Sequence, residues 1–159
     1  MGVSRVPFRV WFHDLDLSLH LNNGRYWTMM DLGRTDILLR MGLWRSVLRH
    51  RWMPVITAGK IRFRRELRLF TPFNLESRVL CWAETWIVIE HRLISKGSRG
   101  QDVTNAVALV RVGLYDRSAK CFVRTQTMMD EMGAGLASPA PSAEVEAFLQ
   151  AEDAMKRAG

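Results

Sequence analysis

The sequence is poor in residues that would cross-link it or place it in a bilayer. Its 159 residues include only two cysteines, Cys81 and Cys121, with no CxxC pair and no His/Cys cluster at metal-ligand spacing. We therefore expect no disulfide framework, no structural zinc and no cofactor. No apolar run approaches the roughly 20 residues that span a bilayer, and the N-terminus lacks the apolar stretch of a signal peptide. These absences predict a cytoplasmic protein without a membrane span.

Acidic residues are nearly missing from one part of the chain. Between Arg40 and Arg68, nine basic residues accompany a single acid, Glu66, so this stretch carries +8 while the rest of the chain sums to −1. Such a concentration favours an anionic partner, and the alternative is a solvated strand and loop without a ligand. The aromatic residues are not interleaved with the basic ones, so we expect no nucleic acid as partner.

The spacing of apolar residues predicts one domain with a long helix and several strands. Residues 5–12 and 54–64 alternate as half-buried strands do, and further strands are predicted within residues 77–94, 103–115 and 122–127. From Asn23 to about Met41, apolar residues recur every three or four positions, which predicts an amphipathic helix. Gly33 on its apolar face would let this helix lie close to a sheet. The order favours an α+β fold, with an antiparallel sheet of about five or six strands wrapped around one long central helix.

The C-terminal part has a different composition. Small residues and proline fill residues 131–142, which predicts a linker between a domain of residues 1–130 and a helical tail of residues 143–159. The predicted tail helix has acidic residues in its first turn and an apolar side that includes Val145 and Phe148. That side could dock on the domain or stay free.

Polar side chains gather where the first strand meets the long helix. The stretch FHDLDLSLHLNNGRY, residues 12–26, holds two aspartates, a histidine and two asparagines. A helix that begins at Asn22 or Asn23 offers unpaired backbone N–H groups and a partial positive charge to its surroundings. A carboxylate there could attack a carbonyl or activate water while the helix end stabilises the oxyanion, and thioesters suit this chemistry because a thiolate leaves readily. Taken singly, these residues would be turn residues, helix caps and a structural histidine.

The spacing in this junction resembles that of the hotdog-fold acyl-CoA thioesterases of the 4-hydroxybenzoyl-CoA thioesterase-like group. That family carries the pattern D-x-D-x-x-G-H-x-N-N-x-x-Y. Six residues of this sequence match it: Asp14, Asp16, His20, Asn22, Asn23 and Tyr26. The resemblance extends through the strand order to about residue 130, and LHLNNGRY with RFRRELRLFTPF is most similar to the thioesterase superfamily member 6-like branch.

The resemblance implies a role for each matching residue. Asp16 would be the catalytic aspartate, as nucleophile or as general base for water, and the backbone N–H of Asn23 would polarise the thioester carbonyl. His20 would complete the catalytic set. Asn22 and Tyr26 would contact substrate or order the loop.

The resemblance also implies partners. Acyl-CoA would be the substrate, and Arg62, Arg64 and Arg65 would bind its nucleotide phosphates. Proteins of this family generally form homodimers, or dimers of dimers, by joining sheets edge to edge. The apolar strand 103–115 would then lie at or near the subunit seam.

Two departures from the family pattern bear on activity. Leu19 replaces the glycine before the histidine, and leucine adopts a positive φ reluctantly. Asp31 replaces the usual glutamate on the helix, so it is a second candidate carboxylate or a salt-bridged surface residue. The sequence therefore predicts an acyl-CoA thioesterase, or alternatively a non-catalytic protein that binds acyl-CoA or another anion. A hotdog dehydratase is disfavoured because the Asp-x-Asn-Pro-x-His arrangement is missing.

Overall fold

The computed structural model describes residues 2–158, which form six strands and four α-helices. In chain order these are β1 (Ser4–Arg9), α1 (Asn23–Arg40), α2 (Trp44–His50), β2 (Trp52–Phe63), β3 (Pro72–Trp82), β4 (Ile87–Lys96), β5 (Asp102–Asp116), β6 (Cys121–Phe122), α3 (Thr125–Glu131) and α4 (Ala143–Ala158). A short 3-10 turn, Phe12–Asp14, follows β1. Within residues 2–158, none of the helices combines the length and the apolar character needed to cross a bilayer.

The strands form one sheet in the order β1-β3-β4-β5-β2, with β6 paired to the end of β5. β1 runs antiparallel to β3, with Ser4 opposite Ser77 and Arg9 opposite Pro72. The predicted α+β fold, with an antiparallel sheet of five or six strands and one long helix, is confirmed. Strand 103–115, which was expected at or near the subunit seam, is β5 and lies between β4 and the edge strand β2. Its nearly continuous apolar sequence is typical of an inner strand, and β1 and β2 are the two edges of the sheet.

The chain divides into two compact units. The first comprises Met1–Leu38, Ile61–Arg78 and Glu90–Ala108, and the second comprises Leu39–Lys60, Val79–Ile89 and Leu109–Gly159.

In the first unit, α1 lies directly against β3 and β4. A Cβ built on Gly33 would stand 2.5 Å from the Ser77 Oγ and 2.8 Å from the Leu75 Cδ2. The prediction that this glycine permits a close approach is confirmed. The buried residues of α1 are Tyr26, Met29, Met30, Gly33 and Ile37. The predicted apolar face is therefore correct up to Arg40, where the helix ends.

A buried polar pair lies beneath α1. The Nδ1 of His91 is 2.7 Å from the Ser77 Oγ, and its Nε2 is 3.4 Å from the Arg34 Nη1. Since arginine can only donate, Nε2 accepts and the Nδ1–H donates to Ser77. Burial, with a smaller contribution from the Arg34 charge, lowers the pKa of His91 to about 3. The ring is therefore neutral at physiological pH.

In the second unit, the C-terminal helix is packed rather than free. Val145 and Phe148 of α4 are buried in a cluster with Cys81, Val88 and Leu109, which belong to β3, β4 and β5. The apolar side that the sequence predicts for this helix thus docks on the strands of its own unit.

Two segments of the second unit differ from the sequence-based expectation. Residues 122–127 do not continue as a strand, because α3 begins at Thr125, whose N–H donates to the Glu84 carbonyl at 2.8 Å. The chain between α1 and β2 contains the helix α2, which the sequence pattern did not predict. Ser46 of α2 donates to Glu131 of α3 at 2.5 Å. Both helices are short and depend on tertiary contacts of this kind.

Candidate active site

A tight hairpin joins β1 to α1. The Asp16 N–H donates to the His20 carbonyl at 2.9 Å, and the Leu19 N–H closes a four-residue turn onto the Asp16 carbonyl at 3.1 Å. Leu19 has a φ of 59°. A turn followed by one left-handed residue is a common hairpin geometry, in which glycine is preferred at the left-handed position. Leucine here adopts the conformation that the glycine of the family pattern would favour.

Asp16 lies at the base of this turn and is half-buried. Its Oδ1 accepts hydrogen bonds from the backbone N–H groups of Ser18, at 2.8 Å, and His20, at 3.3 Å. Its Oδ2 has no hydrogen-bond partner within residues 2–158. The turn therefore orients the carboxylate through one oxygen and leaves the other available to a reacting group.

At the start of α1, a side chain caps one backbone N–H group, and another backbone N–H group has no partner within residues 2–158. The Oδ1 of Asn22 accepts from the Gly24 N–H at 2.8 Å, and the Asn22 N–H donates to the Asp14 carbonyl at 2.8 Å. The N–H of Asn23, the first residue of the helix, has no partner in the described part of the chain. An open N–H at the positive end of a helix is a suitable donor to a developing oxyanion.

Asp14 is a structural residue of the junction. Its side chain is buried and accepts from Arg25 at 2.7 and 2.8 Å and from the Trp11 N–H at 2.9 Å. A buried carboxylate needs such partners, and here they tie the 3-10 turn to the first turn of α1.

His20 is held by a residue that the sequence reading did not include among the site residues. Its Nε2 is 2.9 Å from the Glu66 Oε2, and Arg68 holds the Glu66 Oε1 at 2.5 Å. The Arg68 hydrogen bond lowers the pKa of Glu66. Glu66 is the single acid of the basic stretch, and that isolation is the signal that could have identified it.

Tyr26 is part of the packed interior. It is buried, and its ring meets that of Phe63 edge to face with centroids 5.0 Å apart. Burial raises the pKa of Tyr26 to about 12, so the phenol remains protonated. Its predicted contact with substrate stays a prediction.

Basic side chains line an open cavity of about 520 Å³ in the first unit. The lining residues are Arg64, Arg65, Glu66, Arg68 and Thr71. Arg62, at the end of β2, is exposed and does not line this cavity. Because Glu66 contacts both His20 and the cavity, the arginines adjoin the hairpin.

Asp31 is a surface residue of α1. Its side chain is 63% exposed and forms an ion pair with Arg34. The structure therefore agrees with the salt-bridged interpretation of this residue. Within residues 2–158, no three His, Cys, Asp or Glu side chains are grouped so that they could hold a metal ion.

Comparison with known sequences gives one family and several relatives. The model of the Thioesterase-like superfamily matches residues 10–151. Protein THEM6 of Danio rerio is 36% identical over 91 residues, which cover 57% of this chain and 45% of that protein. The probable thioesterase YBR096W of Saccharomyces cerevisiae is 26% identical over 88 residues, covering 54% of this chain and 38% of that protein. The chain thus spans about half the length, or less, of these two relatives.

Comparison with solved structures identifies the fold. The probable thioesterase YbaW from Escherichia coli has a TM-score of 0.70 at 20% identity, covering 80% of this chain and 94% of that one. A mutant 4-hydroxybenzoyl CoA thioesterase complexed with 4-hydroxybenzoyl CoA has a TM-score of 0.75 at 14% identity, covering 82% and 97%. These likenesses show the hotdog fold.

Proposed function

Because the chain belongs to the Thioesterase-like superfamily, we propose that it hydrolyses an acyl-CoA thioester to the free acid and coenzyme A. The observation that carries this proposal is the hairpin before α1. Among the described residues, 2–158, it presents a carboxylate with one free oxygen, Asp16, in the same short segment as a free backbone N–H, that of Asn23.

The chemistry follows from these two groups. The free oxygen of Asp16 attacks the thioester carbonyl, or it takes a proton from a water that attacks in its place. The Asn23 N–H and the positive end of α1 stabilise the oxyanion that forms. The C–S bond then breaks and coenzyme A leaves as a thiolate. If Asp16 is the nucleophile, water cleaves the resulting anhydride and restores the carboxylate.

We assign Glu66 the role of positioning His20. The Glu66 carboxylate accepts the Nε2–H of the His20 ring and so fixes that ring. The backbone N–H of the same residue is one of the two donors that hold the Asp16 carboxylate. Loss of this carboxylate should disturb the turn without removing the reacting groups. We therefore expect Glu66→Gln to lower kcat less than a change at Asp16 does.

The arginine-lined cavity supplies a place for the nucleotide of coenzyme A. Arg64 and Arg65 are exposed and lie beside the hairpin, and guanidinium groups bind phosphate through paired hydrogen bonds. We expect Arg64→Gln and Arg65→Gln to raise KM more than they lower kcat. Arg62 lies outside the cavity lining, so Arg62→Gln is the matched comparison. A rise in KM in this variant as well would support the predicted contact of Arg62 with the nucleotide phosphates.

The decisive experiment is a hydrolysis assay on purified protein. Short, long and aromatic acyl-CoAs are tested with released thiol as the readout, and Asp16→Asn should lower kcat/KM on the best substrate by about 10²- to 10⁴-fold. Asp31→Asn removes a carboxylate from α1 and is the matched control, for which we expect less than a tenfold change. Full activity in folded Asp16→Asn would remove Asp16 from its role, and a large loss in Asp31→Asn would transfer that role to Asp31.

A second candidate function is the binding of acyl-CoA or another anion without catalysis. The arginine-lined cavity favours it, because anion binding there does not depend on Asp16. Calorimetry with coenzyme A distinguishes the two functions: tight binding with no turnover of any acyl-CoA would support the binder. Weak, steeply salt-dependent binding of nucleic acid of any sequence would instead point to a general polyanion surface.

We further propose that two copies join at the β2 edge into a homodimer. Met53, Ile56 and Phe63 of this edge strand are each about 44 to 45% exposed, and exposed apolar edge strands tend to pair. Ultracentrifugation should show a dimer that Ile56→Lys dissociates. A wild-type monomer at high concentration would contradict this assembly.

A further inference from the structure

Three aromatic side chains of the first unit face solvent together. Trp11, Phe12 and Phe70 are 50%, 69% and 43% exposed. The Phe70 ring meets the other two edge to face, with centroid distances of 5.9 Å to Trp11 and 5.3 Å to Phe12. We call these three residues the aromatic patch. Exposed apolar side chains grouped in this way are typical of surfaces that bind a protein or a membrane, whereas single scattered ones are ordinary.

The backbone holds the aromatic patch in place. The Val10 N–H donates to the Thr71 carbonyl at 3.1 Å, and the Phe70 N–H donates to the Val10 carbonyl at 2.9 Å. Phe70 has a φ of 62°, a conformation that residues with a Cβ rarely adopt. These hydrogen bonds join the segment after β1 to the segment before β3. The two chain segments that carry the aromatic patch are therefore held together.

Further apolar side chains stand at the tip of the neighbouring hairpin. Leu17 is fully exposed and Leu19 is 69% exposed. Both belong to the loop that begins directly after Trp11 and Phe12. The hairpin that follows the patch in the chain thus carries two more exposed apolar side chains.

Positive charge accompanies the aromatic patch. Arg9 is exposed and its Nη1 donates to the Phe70 carbonyl at 3.3 Å. The two segments that carry the patch, residues 9–25 and 64–71, contain five arginines against three carboxylates. One of those carboxylates, Asp14, is buried and paired with Arg25. The exposed surface beside the aromatic rings is thus basic.

We propose that the aromatic patch and its arginines dock the protein on the surface of an anionic lipid bilayer. Tryptophan and phenylalanine enter the headgroup boundary with their apolar rings, while arginines bind lipid phosphates and attract anionic headgroups. A second copy of the chain fits less well, because it would bring two basic surfaces together. Docking in this way places the hairpin with Asp16 at the membrane surface, without any helix entering the bilayer.

The test is cosedimentation of the full chain with lipid vesicles in the absence of any thioester. Vesicles of equal parts phosphatidylcholine and phosphatidylserine should bind the protein, and added salt should weaken that binding. Phe12→Ala and Trp11→Ala should each lower the partition coefficient by about tenfold. Arg9→Gln should lower it by about fivefold. Leu48→Ala, which changes a 69% exposed leucine on α2, is the control and should bind as the wild type does.

Three outcomes would overturn the proposal. The first is no binding to the anionic vesicles, and the second is an equal loss of binding in Phe12→Ala and in Leu48→Ala. The third is a change in oligomeric state in Phe12→Ala, seen by ultracentrifugation, with vesicle binding unchanged, since the patch would then be a contact between copies. Urea unfolding of each variant confirms that the exposed positions leave stability intact. Because the assay contains no substrate, its result is independent of whether the protein hydrolyses thioesters.

Discussion

The buried histidine beneath α1 predicts a loss of stability in mild acid. His91 is completely buried, and burial, aided by the Arg34 charge, lowers its pKa to about 3. In the unfolded chain the imidazole should titrate near its ordinary value of about 6.5. Above pH 6.5 both states hold a neutral ring, so His91 adds no pH dependence. Below pH 6.5 the unfolded state takes up a proton that the folded state does not accept until about pH 3.

The size of this effect follows from the two pKa values. Each pH unit inside the window lowers the free energy of unfolding by about 1.4 kcal/mol, so acidification from pH 7 to pH 4.5 should cost about 2.5 kcal/mol. Small domains have total stabilities of about 5 to 15 kcal/mol, so this loss is large. Carboxylates whose folded-state pKa is lowered, such as Glu90, also begin to reduce stability near pH 4.5, so the contribution of His91 is taken from the difference between the wild type and a His91 variant.

Urea unfolding between pH 7 and pH 4.5 measures the effect. His91→Gln should be less stable than the wild type at pH 7, because the fit beneath α1 is disturbed, but it should lose about 2.5 kcal/mol less on acidification. His13→Gln, at a position whose side chain is 71% exposed, is the matched control and should keep the wild-type slope. An unchanged slope in His91→Gln would refute the argument, because the proton uptake would then belong to another group.

Three further predictions concern stability and use urea unfolding at neutral pH. Leu19→Gly should be more stable than Leu19→Ala by about 1 kcal/mol, because the strain of a positive φ outweighs the flexibility that glycine adds to the unfolded chain; equal stabilities would contradict this. Gly33→Ala should lose about 1 to 3 kcal/mol to overpacking, despite its better helix propensity, whereas Gly135→Ala, whose Cβ meets nothing within 4 Å, should be neutral. Phe148→Ala should lose about 3 to 5 kcal/mol, and Met155→Ala, at 73% exposure, should lose less than about 0.5 kcal/mol; similar losses would show that α4 is not docked.

Local pattern was sufficient for the long helix and for the polar junction before it. The three- and four-residue spacing of apolar side chains predicted α1 to within one residue of its observed end, and Gly33 indicated its close approach to the strands. Asp16 and the asparagine pair could be interpreted locally as turn and cap residues, because such residues act through backbone groups only a few positions away, whereas their predicted catalytic roles came from the family resemblance. Such short-range chemistry can be read in one sequence.

Residues distant in the chain were not predictable in the same way. Glu66 contacts His20 across 46 positions, and only the pairing of their segments, through the Leu21 N–H and the Leu67 carbonyl at 2.8 Å, brings them together. The buried state of His91 likewise depends on β3, β4 and α1 meeting at one point. The isolation of Glu66 among basic residues marks it as unusual but does not indicate its contact with His20, and His91 carries no local signal of its burial.

The sequence by itself determined the fold class, the long helix and the polar junction, because periodic burial and backbone capping act over a few residues. The tertiary structure decided which strands form the sheet edges and which carboxylate holds His20. Those features depend on strand order and on packing between distant segments. Their free energies arise only when the separate elements have assembled.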